Sequence, residues 1–272
     1  MTAFAANSIL NRIGVAELRM DPIDFAAIRV VAGATVLWGL IAARRAGYAT
    51  TGVQMRRRLF AAAMLATYML GFSWAYISLG AGLGALILFG VLQVVTFGWA
   101  VWQGHPISPV RWIGATIAFL GLSVLLWPAG QTTVPLAGSL AMIAAGIAWA
   151  IYTLLGRAEA DALGATAGNF LLCVPLTGLA MILGGGGPMT VPGVVTAVVA
   201  GAVTSGLGYA LWYRILPSIP TTVASVAQLS VPVIALAAGV LLLAEPVTSR
   251  MLVAGALVLG GIALSLATRR TL

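Results

Sequence analysis

Polar and aromatic side chains recur at helical spacing inside the long apolar stretches of this sequence. Residues three, four or seven positions apart lie on one face of a helix, and a polar group in an apolar stretch is costly unless that face turns toward the protein interior. Neutral amides, hydroxyls and aromatic rings gathered there would suit a small molecule with charged ends and an apolar body. The candidate substrate-binding residues are Asn7, Trp74, Tyr76, Gln93, Trp149, Tyr152, Ser205, Tyr209, Trp212, Ser225 and Gln228.

We call such a set of polar or aromatic residues on one helix face a polar stripe, and the clearest one lies in the last quarter of the chain. Ser225, Gln228 and Pro232 follow Thr221 at intervals that keep all four on one side of a helix. Because proline cannot donate a backbone hydrogen bond and kinks helices, we expect a hinge at Pro232. Each stripe also has a structural interpretation, since Ser and Thr often bond carbonyls of their own helix and amides can join neighbouring helices. Stripes on six separate segments favour a binding role for the group.

Other kinds of chemistry lack the residues that they need. The sequence has one histidine, His105, and one cysteine, Cys173, which is too few for a metal cluster of these ligands. Its six acidic residues all fall in predicted loops or at predicted helix ends, so no carboxylate is placed for a proton relay at membrane depth. The sequence contains no phosphate-binding loop, dinucleotide fingerprint or zinc-protease motif. We therefore predict no catalytic residues, no metal, no cofactor and no enzymatic activity.

The elements that carry these stripes must be membrane helices, which makes the expected fold an all-α polytopic membrane protein. Hydrophobic residues make up 61% of the 272 positions and charged residues 7%, whereas roughly a quarter of a soluble domain is charged. The uncharged stretches exceed the length of about 20 residues that crosses a bilayer, and Gly- and Pro-rich breakers divide them. The ten predicted spans are residues 1–14, 24–43, 59–79, 83–102, 110–128, 134–156, 164–184, 191–213, 219–242 and 250–268.

An internal repeat relates the two halves of the chain. Ala3–Arg12 aligns with Ala148–Arg157, and the turn that begins at His105 aligns with the one that begins at Glu245. The chain is thus predicted to form a single integrated membrane domain of two five-helix repeats, residues 1–133 and 134–272. Because five is odd, the second repeat would enter the membrane from the opposite side. Inverted repeats are typical of secondary transporters, whose substrate site lies near the midplane between the halves.

The distribution of arginine indicates the same inversion. Arg44, Arg45 and Arg56–Arg58 lie between spans 2 and 3, whereas the equivalent loop between spans 7 and 8 has no charge. Cytoplasmic loops collect arginine, so we expect the two loops on opposite faces of a bacterial inner membrane, with both termini in the cytoplasm. All 14 basic residues are arginines, and they are scattered between apolar runs. We therefore expect no nucleic-acid partner.

Three segments carry a family resemblance: FAANSILNR at residues 4–12, DPIDFAAIRVVAGA at residues 21–34, and LLLAEPVTSRMLVAGALVLGGIALS at residues 241–265. They resemble the EamA-type branch of the drug/metabolite transporter superfamily, and within it the YddG-type exporters of aromatic and other neutral amino acids. The resemblance spans the whole chain. It implies ten helices in two inverted repeats around a central cavity, which spans 1, 3, 4, 6, 8 and 9 would line, and alternating access by rocking of the halves.

The leading functional expectation is a secondary exporter of neutral or aromatic amino acids. Its partners would be an amino-acid-like substrate and the lipid bilayer, and it could act as a monomer. A carrier of sugars or nucleotide sugars would usually need a positive charge that reaches the cavity, and no Arg or Lys lies near the middle of a predicted span. Arg29 is expected near the outer end of span 2, where it would pair with Asp24 or Asp21. A membrane subunit without transport activity would need neither inverted halves nor polar stripes.

Overall fold

The computed structural model describes residues 1–43, 52–104, 107–127, 135–157, 159, 161–215, 218 and 221–267, and every regular element in these residues is a helix. Two π-helical segments, Ile13–Glu17 and Ala200–Leu207, continue α1 and join α8 to α9. The α-helices are α1 (Thr2–Arg12), α2 (Pro22–Ala43), α3 (Gly52–Ala75), α4 (Ala81–Trp102), α5 (Pro109–Leu126), α6 (Leu136–Gly156), α7 (Ala162–Gly184), α8 (Val191–Val199), α9 (Gly208–Ile215), α10 (Thr221–Leu243) and α11 (Ser249–Ala267).

Seven of the helical stretches in the described residues are long and apolar enough to cross a membrane. They confirm predicted spans 2, 4, 5, 6, 7, 8 and 10 as long apolar helices. Their bounds are Pro22–Ala43, Ala81–Trp102, Pro109–Leu126, Leu136–Gly156, Ala162–Gly184, Val191–Trp212 and Ser249–Leu266.

The other three predicted spans fall on α1, α3 and α10. Helix α1 has 11 residues, which gives a length of only about 16 Å. Helix α3 begins at Gly52 and carries three consecutive arginines, Arg56–Arg58, in its first two turns. Helix α10 contributes a shorter apolar stretch, Ala227–Leu243. An arrangement of ten spans therefore stays a proposal.

Glycines let α5 and α11 pack with their backbones in contact. A Cβ atom on Gly114 would lie 2.5 Å from the carbonyl oxygen of Gly261, and one on Gly261 would lie 2.5 Å from that of Gly114. Gly121, two turns further along α5, fits against Leu257 and Val258 in the same way. Small residues at an interface are the usual means by which membrane helices associate closely.

Helix α2 lies against α3, α7, α8 and the second π-helical segment. The indole Nε1 of Trp38 donates a hydrogen bond of 3.1 Å to the carbonyl oxygen of Ala167 on α7. Leu37 and Val30 on α2 belong to a large buried apolar cluster that also takes in side chains of α3, α4, α6 and α7. This packing fixes the side of α2 that faces the interior.

Arginine side chains connect the ends of neighbouring helices by ion pairs and hydrogen bonds. Nη2 of Arg58 lies 2.6 Å from Oε2 of Glu159, and Nη2 of Arg57 donates to the carbonyl oxygen of Leu155 at 2.6 Å. These contacts join the first half of α3 to the C-terminal end of α6. Arg250 at the start of α11 donates to the carbonyl oxygen of Val124 near the end of α5 at 2.7 Å.

Candidate functional site

The centre of the candidate site is Arg29, which lies seven residues and about 10 Å beyond the start of α2. Its side chain is 0% exposed. Nε donates to the hydroxyl of Ser205 at 3.1 Å, and Nη2 donates to the hydroxyl of Tyr68 at 3.4 Å. The rings of Tyr68 and Phe72 have centroids 5.6 and 5.3 Å from the guanidinium carbon, distances at which a cation is attracted to an aromatic face.

Gly201 brings the partner of Arg29 into place. A Cβ atom at this position would clash with the carbonyl oxygen of Arg29 and would lie 2.8 Å from the Cβ of Ala32. Without that atom the π-helical segment Ala200–Leu207 packs directly on α2. Ser205, four residues further along the segment, then reaches the guanidinium. π-helical turns occur frequently at functional sites.

Arg29 has no acidic partner among the residues that the structure describes, where the ion pairs are formed by other arginines. Its Nη1 has no hydrogen-bond partner within the described part of the structure. Asp24 accepts instead from the backbone N–H of Gly186 at 3.2 Å, and Asp21 accepts from that of Ile23 at 2.8 Å. The expected pairing of Arg29 with Asp24 or Asp21 is therefore wrong. Five residues turn an α-helix by about 140°, so Asp24 faces the end of α7 while Arg29 faces α3.

Nine aromatic rings form a continuous group beside Arg29. Tyr68 contacts Trp149 with ring centroids 4.7 Å apart, and Trp149 stacks on Tyr152 and Tyr209 at 5.6 and 5.5 Å. Tyr209 in turn contacts Phe4 at 5.5 Å. We call this group the aromatic cluster; its members are Phe4, Tyr68, Phe72, Tyr76, Trp149, Tyr152, Phe170, Tyr209 and Trp212.

The aromatic cluster draws its rings from both halves of the chain. Phe4 lies on α1, Tyr68 and Phe72 on α3, and Tyr76 directly after α3. The remaining members lie on α6, α7 and α9. Since offset and tilted rings present both faces and edges, the cluster offers apolar surface together with faces that attract a cation.

A buried network of amides and hydroxyls joins α1 to its neighbours. Nδ2 of Asn11 donates to the carbonyl oxygen of Asn7 at 2.9 Å, and Oδ1 of Asn11 accepts from the hydroxyl of Ser73 at 2.8 Å. Oδ1 of Asn7 accepts from the hydroxyl of Thr204 at 3.2 Å. Thr204 precedes Ser205, so this network ends beside the partner of Arg29. All four side chains are buried, and their mutual bonds satisfy most of their polar atoms.

The structure brings seven of the eleven predicted site residues into this region. Tyr76, Trp149, Tyr152, Tyr209 and Trp212 are members of the aromatic cluster, Ser205 bonds Arg29, and Asn7 belongs to the amide network. Trp74 lies elsewhere, because its side chain is 50% exposed. Whether any of these residues binds a substrate stays a prediction.

The last predicted stripe lies on α10. Gln228 is half-buried there, and Gln93 is half-buried on α4, which packs against α10. The side chain of Ser225 lies outside the described part of the structure. Pro232 is buried inside α10, where it removes the donor that the carbonyl of Gln228 would otherwise accept from. Its function as a hinge stays a prediction.

Of the two predicted site residues at the end of α3, Trp74 lies on an exposed face and Tyr76 on the buried one. Thr67 and Trp74, spaced by seven residues, are exposed, whereas Tyr68, Phe72 and Tyr76, spaced by four, are buried. Both sets have helical spacing, so periodicity alone could not choose between them. The i, i+4, i+8 spacing of three aromatic residues could have identified the inner face, because large rings favour burial.

Outside this region, the described residues form an apolar groove but no metal-binding cluster. An apolar groove of about 470 Å³ runs between α2, α7 and α8, and its lining includes Ile28, Val31 and Val198. Val31 and Val198 are exposed, so the groove opens on the outer surface, on a side of α2 other than that of Arg29. The described residues contain no group of three or more His, Cys, Asp or Glu placed to hold a metal ion.

Comparisons with known proteins assign the chain to a family. Residues 136–267 match the model of the EamA-like transporter family. The uncharacterized protein PA1977 of Pseudomonas aeruginosa is 41% identical over 271 residues, which cover 99% of this chain and 92% of that protein. Through residues 136–267 the chain belongs to the EamA-like transporter family. The family resemblance inferred from the sequence is thereby confirmed at the level of the family.

The chain is also similar to two other proteins. An uncharacterized transporter of Archaeoglobus fulgidus is 32% identical over 177 residues, which cover 60% of this chain and 59% of that protein. A crystal structure of another protein superposes with a TM-score of 0.66 over 97% of this chain and 96% of that one, at 19% identity, which shows the fold alone. Family membership and the long apolar helices indicate an integral membrane protein that transports small molecules, rather than an enzyme.

Proposed function

We propose that this protein is a secondary carrier that exports neutral, and preferentially aromatic, amino acids by alternating access. The observation that carries the proposal is the aromatic cluster, whose nine rings meet in the interior from α1 and α3 on one side and from α6, α7 and α9 on the other. Rings of this kind can pack an apolar side chain and attract an ammonium group. Amide and hydroxyl groups adjoin them, as a zwitterionic substrate requires.

The proposed carrier consists of two inverted five-helix repeats, residues 1–133 and 134–272. The pairing of helix contacts supports this. Exchange of the halves maps α2 on α7, α4 on α10 and α5 on α11, and the two members of each of these pairs contact one another. The same exchange maps the contact between α3 and α6 on that between α1 and the second π-helical segment, and the contact between α4 and α6 on that between α1 and α10.

The proposed location is the inner membrane of a bacterium, with both termini in the cytoplasm. Arg57 and Arg58 at the start of α3 contact Leu155 and Glu159 at the end of α6. These two ends therefore share one face of the protein. Because arginine-rich loops remain on the cytoplasmic side, that face is assigned to the cytoplasm.

A carrier of another metabolite, such as a nucleotide sugar, is the second candidate. The sequence disfavours it because no Arg or Lys lies near the middle of a predicted span, whereas the structure buries Arg29 fully, with 0% exposure and no acidic partner among the described residues. A buried cation can form an ion pair with the phosphate of a sugar phosphate. The substrate panel below therefore includes both classes.

Uptake into proteoliposomes tests the proposal. Purified protein is reconstituted and offered radiolabelled neutral amino acids, sugars and nucleotide sugars, with protein-free liposomes as the control. We expect uptake of phenylalanine, tyrosine or tryptophan above the control, and a reduction of that uptake by Gln228→Ala. Transport of a sugar or nucleotide sugar in place of every amino acid would overturn the substrate class and leave the carrier function standing.

A further inference from the structure

We propose that Arg29 binds the carboxylate of the transported molecule, so that the substrate class is restricted to carboxylic acids with an apolar or aromatic body. This inference rests on the proposed carrier function and specifies its substrate. It begins from the only fully buried guanidinium in the described residues that has no acidic partner.

The buried charge of Arg29 is not compensated within the described structure. Moving an ion out of water is costly even after the protein relaxes, and buried charges are therefore usually paired. Arg58, the other buried arginine of the described residues, follows this rule, since its Nη2 lies 2.6 Å from Oε2 of Glu159. Arg29 instead contacts two hydroxyls and two rings. Cation–π contacts are weaker than a buried ion pair and offset only part of the cost of burying the charge.

One edge of the guanidinium is not fully engaged by the described protein groups. Nε is engaged by the Ser205 hydroxyl at 3.1 Å, and Nη2 makes a long contact of 3.4 Å with the Tyr68 hydroxyl. Nη1 has no partner. A carboxylate accepts two parallel N–H bonds from an arginine, and Nη1 together with Nη2 forms such a fork. Ser205 would hold the other side of the guanidinium in place while the ligand binds.

The surroundings favour a carboxylate over a phosphate. A sugar phosphate or pyrophosphate carries up to two negative charges, and sites for such groups combine several cationic or backbone donors. Around Arg29 the described contacts are one serine hydroxyl, one tyrosine hydroxyl and the rings of Tyr68 and Phe72. A single positive charge beside apolar rings matches a single negative charge on an apolar molecule.

The aromatic cluster lies next to the Arg29 guanidinium and is joined to it by Tyr68. The ring of Tyr68, whose hydroxyl accepts from Arg29, lies 4.7 Å from that of Trp149, which stacks on Tyr209. A carboxylate at Arg29 would therefore place the body of its molecule against Trp149 and Tyr209. Because Arg29 is fully buried, the substrate reaches it only in a conformation in which these helices have separated.

The test compares phenylalanine with one analogue that lacks its carboxylate and one that lacks its amino group. Wild-type protein, Arg29→Met, Arg29→Lys and the control Arg111→Met, at an exposed position of α5, are each offered phenylalanine, phenylalaninamide and 3-phenylpropionate. Uptake into proteoliposomes is one readout. The second is the shift of the unfolding temperature in detergent as each compound is added, which detects binding without transport.

We expect the wild type and Arg111→Met to prefer phenylalanine over its amide by about tenfold or more, the value of one charge-assisted hydrogen-bonded contact. Arg29→Met should abolish this preference, and Arg29→Lys, which keeps the charge without the fork, should retain part of it. Equal uptake and equal binding of the acid and the amide by the wild type would overturn the assignment, as would an unchanged preference in Arg29→Met.

The outcomes separate this inference from the carrier function. If the wild type transports none of the three compounds, the proposed function fails, and the shift of the unfolding temperature still decides whether Arg29 binds a carboxylate. If it transports all three equally, the carrier function holds and the role of Arg29 is excluded. Should Arg29→Met fail to fold, the preference of the wild type and its change in Arg29→Lys decide between these outcomes.

Discussion

Arg12 at the end of α1 and Glu245 in the turn between α10 and α11 form an ion pair, with Nε and Oε1 3.5 Å apart. Both carboxylate oxygens also accept from the backbone N–H of Ala81, the first residue of α4, at 2.8 and 2.9 Å. The guanidinium of Arg12 donates to the carbonyl oxygens of Tyr76 and Ile77, which follow α3. A single ion pair thus links both halves at one end of the helices. In the proposed topology this is the outer end, so the pair would help to keep that end closed.

Two replacements of Glu245 should destabilise the protein to different extents. Glu245→Ala removes the acceptor at the start of α4 and the partner of Arg12, whereas Glu245→Gln keeps an acceptor for Ala81 and loses the charge. We expect the free energy of unfolding to fall by about 1–3 kcal/mol for Glu245→Ala and by less for Glu245→Gln. Chemical unfolding in detergent micelles measures both values.

Glu17→Gln is the control for this series, because Glu17 is exposed at the end of the first π-helical segment. Its unfolding free energy should match that of the wild type. If Glu245→Ala were no less stable than Glu17→Gln, the contacts of Glu245 would have no part in holding the helix ends together.

Gly201 should tolerate no side chain, even that of alanine. The added methyl would meet the carbonyl oxygen of Arg29 and push the second π-helical segment away from α2. We expect Gly201→Ala to lower the free energy of unfolding by about 1–3 kcal/mol, as overpacking generally does, and to reduce transport because Ser205 moves away from Arg29.

Gly39 provides the matched control on α2 itself. Nothing lies within 4 Å of a Cβ built at this position, so Gly39→Ala should leave stability unchanged or raise it by up to about 1 kcal/mol through helix propensity. The same measurement of unfolding applies to both variants. Equal effects of Gly39→Ala and Gly201→Ala would contradict the close packing inferred for Gly201.

Composition and periodicity were sufficient to predict the apolar helices. Stretches such as α4 and α7 contain no charged residue, and their ends coincide with breakers such as Gly80 and Gly184–Gly187. The start of α3 was predicted at residue 59, whereas the helix begins at Gly52. Arginines are favourable in a part of a helix that extends beyond the membrane. A hydrophobic pattern detects only the part of the helix that lies in lipid, and it therefore missed the first residues of α3.

The partners of a buried side chain could not be predicted in the same way. Asp24 is the acidic residue nearest to Arg29 in the sequence, but the helix turns the two side chains to different sides. The observed partner, Ser205, lies 176 positions later on the second π-helical segment, which packs against α2. That contact depends on the backbone approach at Gly201, which no pattern within α2 encodes. The exposed position of Trp74 has the same origin, because only the packing of α3 distinguishes its two faces.

Loss of the Tyr209 ring should impair transport of aromatic substrates most. Its ring contacts Phe4, Trp149 and Phe170, and one such contact contributes about 0.5–1.5 kcal/mol. We expect Tyr209→Ala to reduce phenylalanine uptake by roughly two- to tenfold and to affect alanine uptake less. Uptake into proteoliposomes is measured at equal amounts of folded protein.

Trp74→Ala is the control for Tyr209→Ala, since Trp74 is an even larger aromatic side chain and lies on the exposed side of α3. Phenylalanine uptake should be unchanged in this variant and close to normal in Tyr209→Phe, which keeps the ring. A defect in Trp74→Ala as large as that in Tyr209→Ala would show that loss of any large ring has this effect, and the aromatic cluster would lose its special role.

The inversion of the halves predicts opposite faces for two segments that are equivalent in the repeat. Arg56 near the start of α3 and Met189, between α7 and α8, are both exposed. Arg56→Cys and Met189→Cys are labelled in intact cells with a membrane-impermeant maleimide, before and after permeabilisation. We expect Met189→Cys to react in intact cells and Arg56→Cys to react only after permeabilisation, because arginine-rich segments stay in the cytoplasm.

The parent protein serves as its own control, because its single cysteine, Cys173, is 0% exposed on α7 and should remain unlabelled in the folded state. Labelling of both new cysteines from the same side would place equivalent loops on one face. The second half would then not be inverted, α2 could not pair with α7 as its symmetry mate, and the aromatic cluster could not lie on a path that opens alternately to the two sides of the membrane.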